Sequence, residues 1–307
     1  MDKTALLFPG QGSQNVGMGK DLYESFDLAK EYYEQASEIL GFNLAKFSFE
    51  GPLEKLTETE VTQPAIFVLS VILYELLSEG DFPVDMVAGH SLGEYSALVA
   101  ADAVDFQTGL ELVRIRSSAM QKACELREGT MAAIIGLEEE KVAEACSLAS
   151  SDGIVQPANY NSPGQIAISG ETNAVRAAME HAKEMGAKRA IELVVGGAFH
   201  SPLMSSAKQT MAETLESTEL RDTTIPVYVN VSGKPFQEAK ELKQALIDQI
   251  DHPVLWATTI ENMIENGATM FREIGPGSVL TGLLRRINKE MDRENISSYR
   301  DLIQVRG

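Results

Sequence analysis

The sequence of 307 residues predicts an α/β fold, a parallel sheet covered by helices on both faces with a small ferredoxin-like (βαββαβ) subdomain inserted into it. Three observations lead there. Strand-like apolar runs alternate with helix-period runs along residues 1–127 and again along 197–307, the pattern of a large domain built in two segments. Between them, residues 128–196 read strand, helix, strand, strand, helix, strand. Finally, Val87-Ala88-Gly89-His90-Ser91-Leu92-Gly93-Glu94 places a glycine-bracketed serine between a strand and a helix. Larger residues beside such a bend would collide with the adjoining backbone, and the bend pushes its hydroxyl into a cleft.

Taken in order, residues 4–8 form a buried strand closed by Pro9-Gly10-Gln11-Gly12. A dinucleotide-binding Gly-x-Gly-x-x-Gly fails here, because its third glycine falls on Asn15. A helix is expected over about 20–40, with Leu22, Phe26, Ala29, Tyr33, Ala36 and Leu40 on one face. Thr62 and Pro64 open a buried helix that ends near Gly80, and its most apolar part, 65–77, is too short to span a bilayer. Residues 84–88 are the strand before Ser91, the helix after it fades near Ala101, and 106–126 is a long helix. In the insertion, strands are expected at 130–135, 154–158, 165–169 and 189–194, with helices at 138–149 and 173–185. Gly196-Gly197 marks the return. Helices at 203–216, 238–250 and 257–266, strands at 225–231 and 270–274, the tight loop Gly275-Pro276-Gly277 and a last long helix at 278–291 complete the chain.

Composition narrows the function classes. A formal net charge of -19 argues against a general affinity for nucleic acid or for an anionic membrane. Cys124 and Cys146 form neither a metal-ligand spacing nor a disulfide framework, which fits a reduced, cytoplasmic setting. Met1-Asp2-Lys3 leads into only a short apolar run, so no secretory signal is visible. Nothing signals a coiled coil, and a monomer is expected.

Two polar residues stand out against their surroundings. Arg116 has Leu112, Val113, Ala119 and Met120 at helical neighbour spacing, so its guanidinium projects along an apolar stripe, whereas Arg114 belongs to solvent. A desolvated arginine needs an anionic partner. That partner is either an internal carboxylate or one that arrives with the substrate. Ser91, in turn, needs a base to act as a nucleophile. Of the four histidines, His90 adjoins Ser91 at the bend and should point elsewhere. His181 lies on a solvent face with Glu180 and Glu184, and His252 suits a helix-end cap. His200, in the glycine-rich return loop, is the best candidate. Gln249 turns an amide inward near a helix C-terminus, where a free backbone carbonyl is available to orient His200; otherwise it is a buried amide satisfied by nearby backbone.

Five ordered motifs span essentially the whole chain: Phe8-Pro9-Gly10-Gln11-Gly12-Ser13-Gln14, Gly89-His90-Ser91-Leu92-Gly93-Glu94, Asn159-Tyr160-Asn161-Ser162-Pro163-Gly164-Gln165, Ala198-Phe199-His200-Ser201 and Gly275-Pro276-Gly277. Together they closely resemble the malonyl-CoA:acyl carrier protein transacylases. The resemblance implies an α/β-hydrolase-like large domain (1–127 and 197–307) with an inserted ferredoxin-like subdomain (128–196). It implies Ser91 as nucleophile, His200 as base, the Gln11 and Leu92 N–H groups as oxyanion hole, and the Gln249 carbonyl as the group orienting His200. Arg116 then grips the malonyl carboxylate. Met120 walls the acyl pocket, Phe199 leaves little room for an α-methyl group, and Asn161 contacts the cleft mouth.

The implied reaction moves malonyl from malonyl-CoA to the phosphopantetheine thiol of acyl carrier protein through a malonyl-serine ester, for fatty acid biosynthesis. Coenzyme A enters as a thioester substrate and phosphopantetheine rides on the partner; no bound cofactor or metal is expected. A free-standing polyketide acyltransferase, a serine thioesterase or esterase, and a non-catalytic module that binds coenzyme A or a carrier protein are the alternatives. Lys188-Arg189 and Arg285-Arg286 with Lys289 are the candidate patches for an acidic carrier.

Overall fold

The computed structural model describes residues 3–80 and 82–306. Met1 and Asp2, read above as the lead into the first strand, lie outside the described residues. Strands β1 (Lys3–Phe8) and β2 (Met86–Gly89) pair in parallel. The chain then leaves them for a second sheet of β3 (Gly129–Ile135), β4 (Val155–Ser162), β5 (Gln165–Glu171) and β6 (Arg189–Glu192). It returns for β7 (Val227–Tyr228), β8 (Pro235–Phe236), β9 (Ala268–Ile274) and β10 (Asp292–Ile296). The first sheet runs β10-β9-β1-β2-β7-β8, and the second, all antiparallel, runs β4-β5-β3-β6.

Period-two alternation in β1 explains why the first sheet is covered on both sides. Leu6 and Phe8 enter one core, together with the helices Thr59–Ser78 and Phe106–Leu126. Ala5 and Leu7 enter another, together with Trp256, Ile260 and Leu284. In the second sheet, Ala132, Ile134, Ile166 and Ile168 pack on the helices Glu139–Leu148 and Thr172–Glu184. Met131 and Ala167, on its opposite face, look into a cleft facing the Ser91 bend. Backbone bonds tie the second sheet to the segment between the helices Ala239–Gln249 and Trp256–Glu265: Tyr160 N–H donates to Val254 O (2.9 Å) and Val254 N–H to Ala158 O (2.8 Å).

Several expectations need correction. The helix over 20–40 is two helices, Lys20–Ser25 and Asp27–Leu40, because Phe26 is extended (φ −128°, ψ 132°) and its ring packs on Tyr299. Short helices Leu44–Glu50 and Leu53–Thr57 were not anticipated. The strand over 225–231 shrinks to Val227–Tyr228, and β8 pairs with it antiparallel, so the first sheet is not wholly parallel. The helix expected to reach 291 stops at Ile287, since Asn288 turns extended and the polar segment that follows adds β10 beside β9. A last helix, Tyr299–Arg306, closes the chain. The helix Thr59–Ser78, longer than its apolar segment suggested, meets the length and hydropathy of a membrane span, but its side chains lie largely in the core.

Candidate active site

The strand–bend–helix around Ser91 is held by close backbone approach. A Cβ on Gly89 would overlap the Gly93 carbonyl, and one on Gly93 would overlap the Phe8 carbonyl, so both positions need glycine. Ser91 itself adopts φ 52°, the left-handed region that a side chain disfavours. Asn230 straps it there: its Oδ1 accepts from Ser91 N–H (2.7 Å) and its Nδ2 donates to Gly89 O (2.6 Å). The helix Gly93–Ala100 follows, buried along its whole length. The N–H groups of Gly93, Glu94 and Tyr95 bond back to His90, Ser91 and Leu92 carbonyls. Among the described residues, the N–H groups of Leu92 and Gln11 form no such bond, and both residues line the cleft.

His200 is also left-handed (φ 57°) and is fixed from several sides. Gln156 Nε2 donates to its carbonyl (3.0 Å), and Ser201 Oγ donates to Ala198 O (2.6 Å). Its ring bridges Ser91 Oγ, 2.8 Å from Nε2, and the Gln249 backbone carbonyl, 2.8 Å from Nδ1. A carbonyl only accepts, so Nδ1 carries the proton and Nε2 presents a lone pair to the serine hydroxyl. Burial first, and the neighbouring Arg116 charge second, pull the imidazole down to about 3 from 6.5. At neutral pH it is therefore a free base.

Arg116 is wholly buried. Its Nη1 donates to Gln63 Oε1 (2.7 Å), and its Nη2 donates to Gln249 Oε1 (2.8 Å) and Ser91 Oγ (3.0 Å). Its guanidinium carbon lies 5.5 Å from the Tyr95 ring centre. Among the described residues no carboxylate forms a direct ion pair with it; amide oxygens stand in that place, and Nε is left without a partner. Burial holds its pKa below the usual guanidinium value, opposed by Tyr95 and Glu94. A buried cation satisfied by neutral oxygens is prepared for an incoming anion.

The cleft has a volume of about 200 Å³. Ser91, His200, Arg116, Gln11, Leu92, Met120, Phe199 and Asn161 all line it, and Gln249 meets it from behind through His200 and Arg116. Asn161 Oδ1 lies 2.8 Å from Nε2 of His90, whose ring packs beside Trp256. Sequence reasoning missed Gln63, Asn230 and the burial of Glu94. The available signal was a carboxylate in a helix apolar on every side and an amide beside Pro64 in an apolar run.

On the reading of Ser91 as nucleophile and His200 as its base, the depressed His200 basicity predicts the acid limb of acylation. kcat/KM for acylating Ser91 should stay level as pH falls through 6.5 and decline only well below it, because the free enzyme's base stays unprotonated there. Removing the Arg116 charge should move that limb upward. Stopped-flow acylation with acetyl-CoA across pH, in parent and Arg116→Ala, checks both shifts.

The chain matches the acyl transferase domain family over residues 5–302. It is 45% identical over 292 residues to a malonyl CoA-acyl carrier protein transacylase of Bacillus subtilis (strain 168), spanning 95% of this chain and 92% of that protein. It superposes on the crystal structure of an acyl carrier protein S-malonyltransferase from Vibrio cholerae with TM-score 0.94 and 42% identity, covering 99% and 100% of the two chains. It also superposes on a malonyl-transacylase solved in complex with its type II polyketide synthase acyl carrier protein, with TM-score 0.95 and 40% identity over 99% and 98%.

Proposed function

The chain belongs to the malonyl CoA-acyl carrier protein transacylases of the acyl transferase domain family, and from that premise we propose how its residues divide the work. The enzyme transfers malonyl from malonyl-CoA to the thiol of acyl carrier protein, supplying fatty acid biosynthesis. The observation that carries the residue assignment is the meeting of His200 Nε2 and Arg116 Nη2 on one oxygen, Ser91 Oγ, at 2.8 and 3.0 Å.

Ser91 gives its proton to His200 Nε2 as Oγ attacks the thioester carbonyl. The oxyanion forms against the Gln11 and Leu92 N–H groups, each worth about 2.7–4 kcal/mol at the tetrahedral state. Collapse breaks the C–S bond; the coenzyme A sulfur takes the proton from His200, leaving a malonyl ester on Ser91. The carrier's phosphopantetheine thiol then repeats the sequence in reverse, giving its proton to His200 and releasing Ser91. Arg116 turns its two terminal guanidinium nitrogens to the free malonyl carboxylate. Gln249 supports both partners, its carbonyl orienting His200 and its side chain orienting Arg116. Met120 and Phe199 wall the acyl group, and Asn161, tied to His90, borders the mouth. The α/β-hydrolase-like reading of the first sheet is supported by its strand–bend–helix. The ferredoxin-like reading of 128–196 is supported by the β4-β5-β3-β6 order and the two helices on one face.

Intact-protein mass spectrometry after brief exposure to malonyl-CoA, and separately acetyl-CoA, tests this assignment. A malonyl adduct at Ser91 that a thiol acceptor discharges is the expected result; an adduct lost equally fast to water would identify a hydrolase instead.

Carrier docking at the cleft mouth follows from the placement of the basic residues. Arg286 Nη1 donates to Gln165 Oε1 (2.6 Å), and Gln165 lines the cleft. Ile135 pairs with Gln165 on one side and Arg189 on the other, so both basic pairs gather at one end of the second sheet. An acidic carrier seated there predicts that its KM rises with ionic strength, and that Arg286→Glu raises KM for the carrier while leaving acylation by malonyl-CoA unchanged. A salt titration of both half-reactions reads this directly.

A further inference from the structure

Glu94 is buried at the site, 1% exposed, yet the steps above give it no task. Its Oε2 accepts from Gln249 Nε2 at 2.5 Å and from Asn230 N–H at 3.4 Å. Both partners also hold the serine bend, for Gln249 Nε2 donates to Ser91 O (2.8 Å) and Asn230 accepts from Ser91 N–H.

A primary amide has one end that accepts and one that donates. Arg116 can only donate, so the Gln249 side chain must show it oxygen, as it does at 2.8 Å. In the opposite orientation two donors would face each other, and the Glu94 oxygen would face an acceptor. A carboxyl oxygen at the far end of the amide, together with Ser91 O accepting from the same nitrogen, disfavours that orientation. The arrangement has a second consequence: a carboxyl group touching Arg116 directly would compete with the substrate for its terminal nitrogens, whereas one held behind Gln249 does not. Burial pushes Glu94 up to about 7, opposed by Gln249, the Asn230 N–H and the Arg116 charge; protonated or not, Oε2 retains a lone pair for Gln249.

We propose that Glu94 is a positioning residue for malonyl recognition, pinning the Gln249 amide so that Arg116 Nη2 stays aimed at the acyl carboxylate beside Ser91. This rests on Ser91 carrying the acyl group and Arg116 anchoring its carboxylate.

The test compares malonyl and acetyl transfer from their coenzyme A thioesters in the parent, Glu94→Gln and Glu94→Leu. Glutamine keeps an oxygen at the same reach; leucine does not. Glu94→Leu should raise KM for malonyl-CoA about tenfold and lower the malonyl-to-acetyl ratio of kcat/KM by about tenfold, with Glu94→Gln within about threefold of the parent. In an Arg116→Ala background the leucine substitution should leave the ratio where Arg116→Ala put it. Equal losses of malonyl and acetyl transfer in Glu94→Leu, a glutamine variant as impaired as the leucine one, or ratio effects that multiply with Arg116→Ala would overturn the proposal. If Glu94→Leu does not fold, Glu94→Met, which also lacks an oxygen for Gln249 and fills more of the space, takes its place with the same expectation. The malonyl ester is scored first on unmutated protein. Its absence there sinks the transferase assignment itself, while an ester with an unchanged ratio in the variants sinks this proposal alone.

Discussion

Ser91→Ala should reduce malonyl transfer by on the order of 10⁴–10⁶-fold and abolish the acyl-protein adduct, because no other group occupies the position between His200 and Arg116. The same residue allows a control on folding. At φ 52° an L side chain is disfavoured, so Ser91→Gly should be equally inactive yet more stable than Ser91→Ala by about 1 kcal/mol. Thermal melts of the two variants beside the transfer assay separate a lost nucleophile from a damaged bend. An inactive glycine variant that melts no higher than the alanine variant would mean that the left-handed bend carries no strain.

Arg116→Ala should produce the second large effect. Two charge-assisted hydrogen bonds to the malonyl carboxylate, each about 1.5–3 kcal/mol, would be lost, so malonyl kcat/KM should fall by on the order of 10²–10⁴-fold. Acetyl has no carboxylate to pair with the guanidinium, so its transfer should fall far less and the preference should swing toward it. The oxygens of Gln63 and Gln249 lose their donor in this variant, and some loss of stability should accompany the change in selectivity. Malonyl preference surviving intact would show that the carboxylate binds elsewhere.

The residues that meet in the cleft, and that we propose carry this chemistry, were legible for a specific reason. Each conflicts with its local pattern: a serine at a bend too tight for anything but glycine neighbours, an arginine on an apolar stripe, a histidine in a glycine-rich loop. The helix Phe106–Leu126 has the bounds its periodicity indicates, because Asp105 caps its start and its apolar face is continuous. What the sequence hides are partners set by the fold. Asn230 lies 139 positions from the serine whose N–H it accepts, and nothing local marks it. Glu94 sits inside the most recognisable motif, but its burial depends on the helix being enclosed on all sides. Strand β10 (Asp292–Ile296) escaped because its sequence, Asp-Arg-Glu-Asn-Ile, is polar and its pairing with β9 at the sheet edge does not require an apolar alternation. The break at Phe26 escaped because the helical pattern runs through it, and only the packing against Tyr299 shows why the chain extends there.

The backbone bonds linking Ala158 and Tyr160 to Val254 fasten the antiparallel sheet to the segment just beyond Gln249. The sheet that lines the cleft through Met131 and Ala167 is thus sewn to the chain within a few residues of the carbonyl that accepts from His200 Nδ1. Any displacement of strand β4 is thus passed through two backbone hydrogen bonds to the stretch of chain that carries the acceptor of His200 Nδ1.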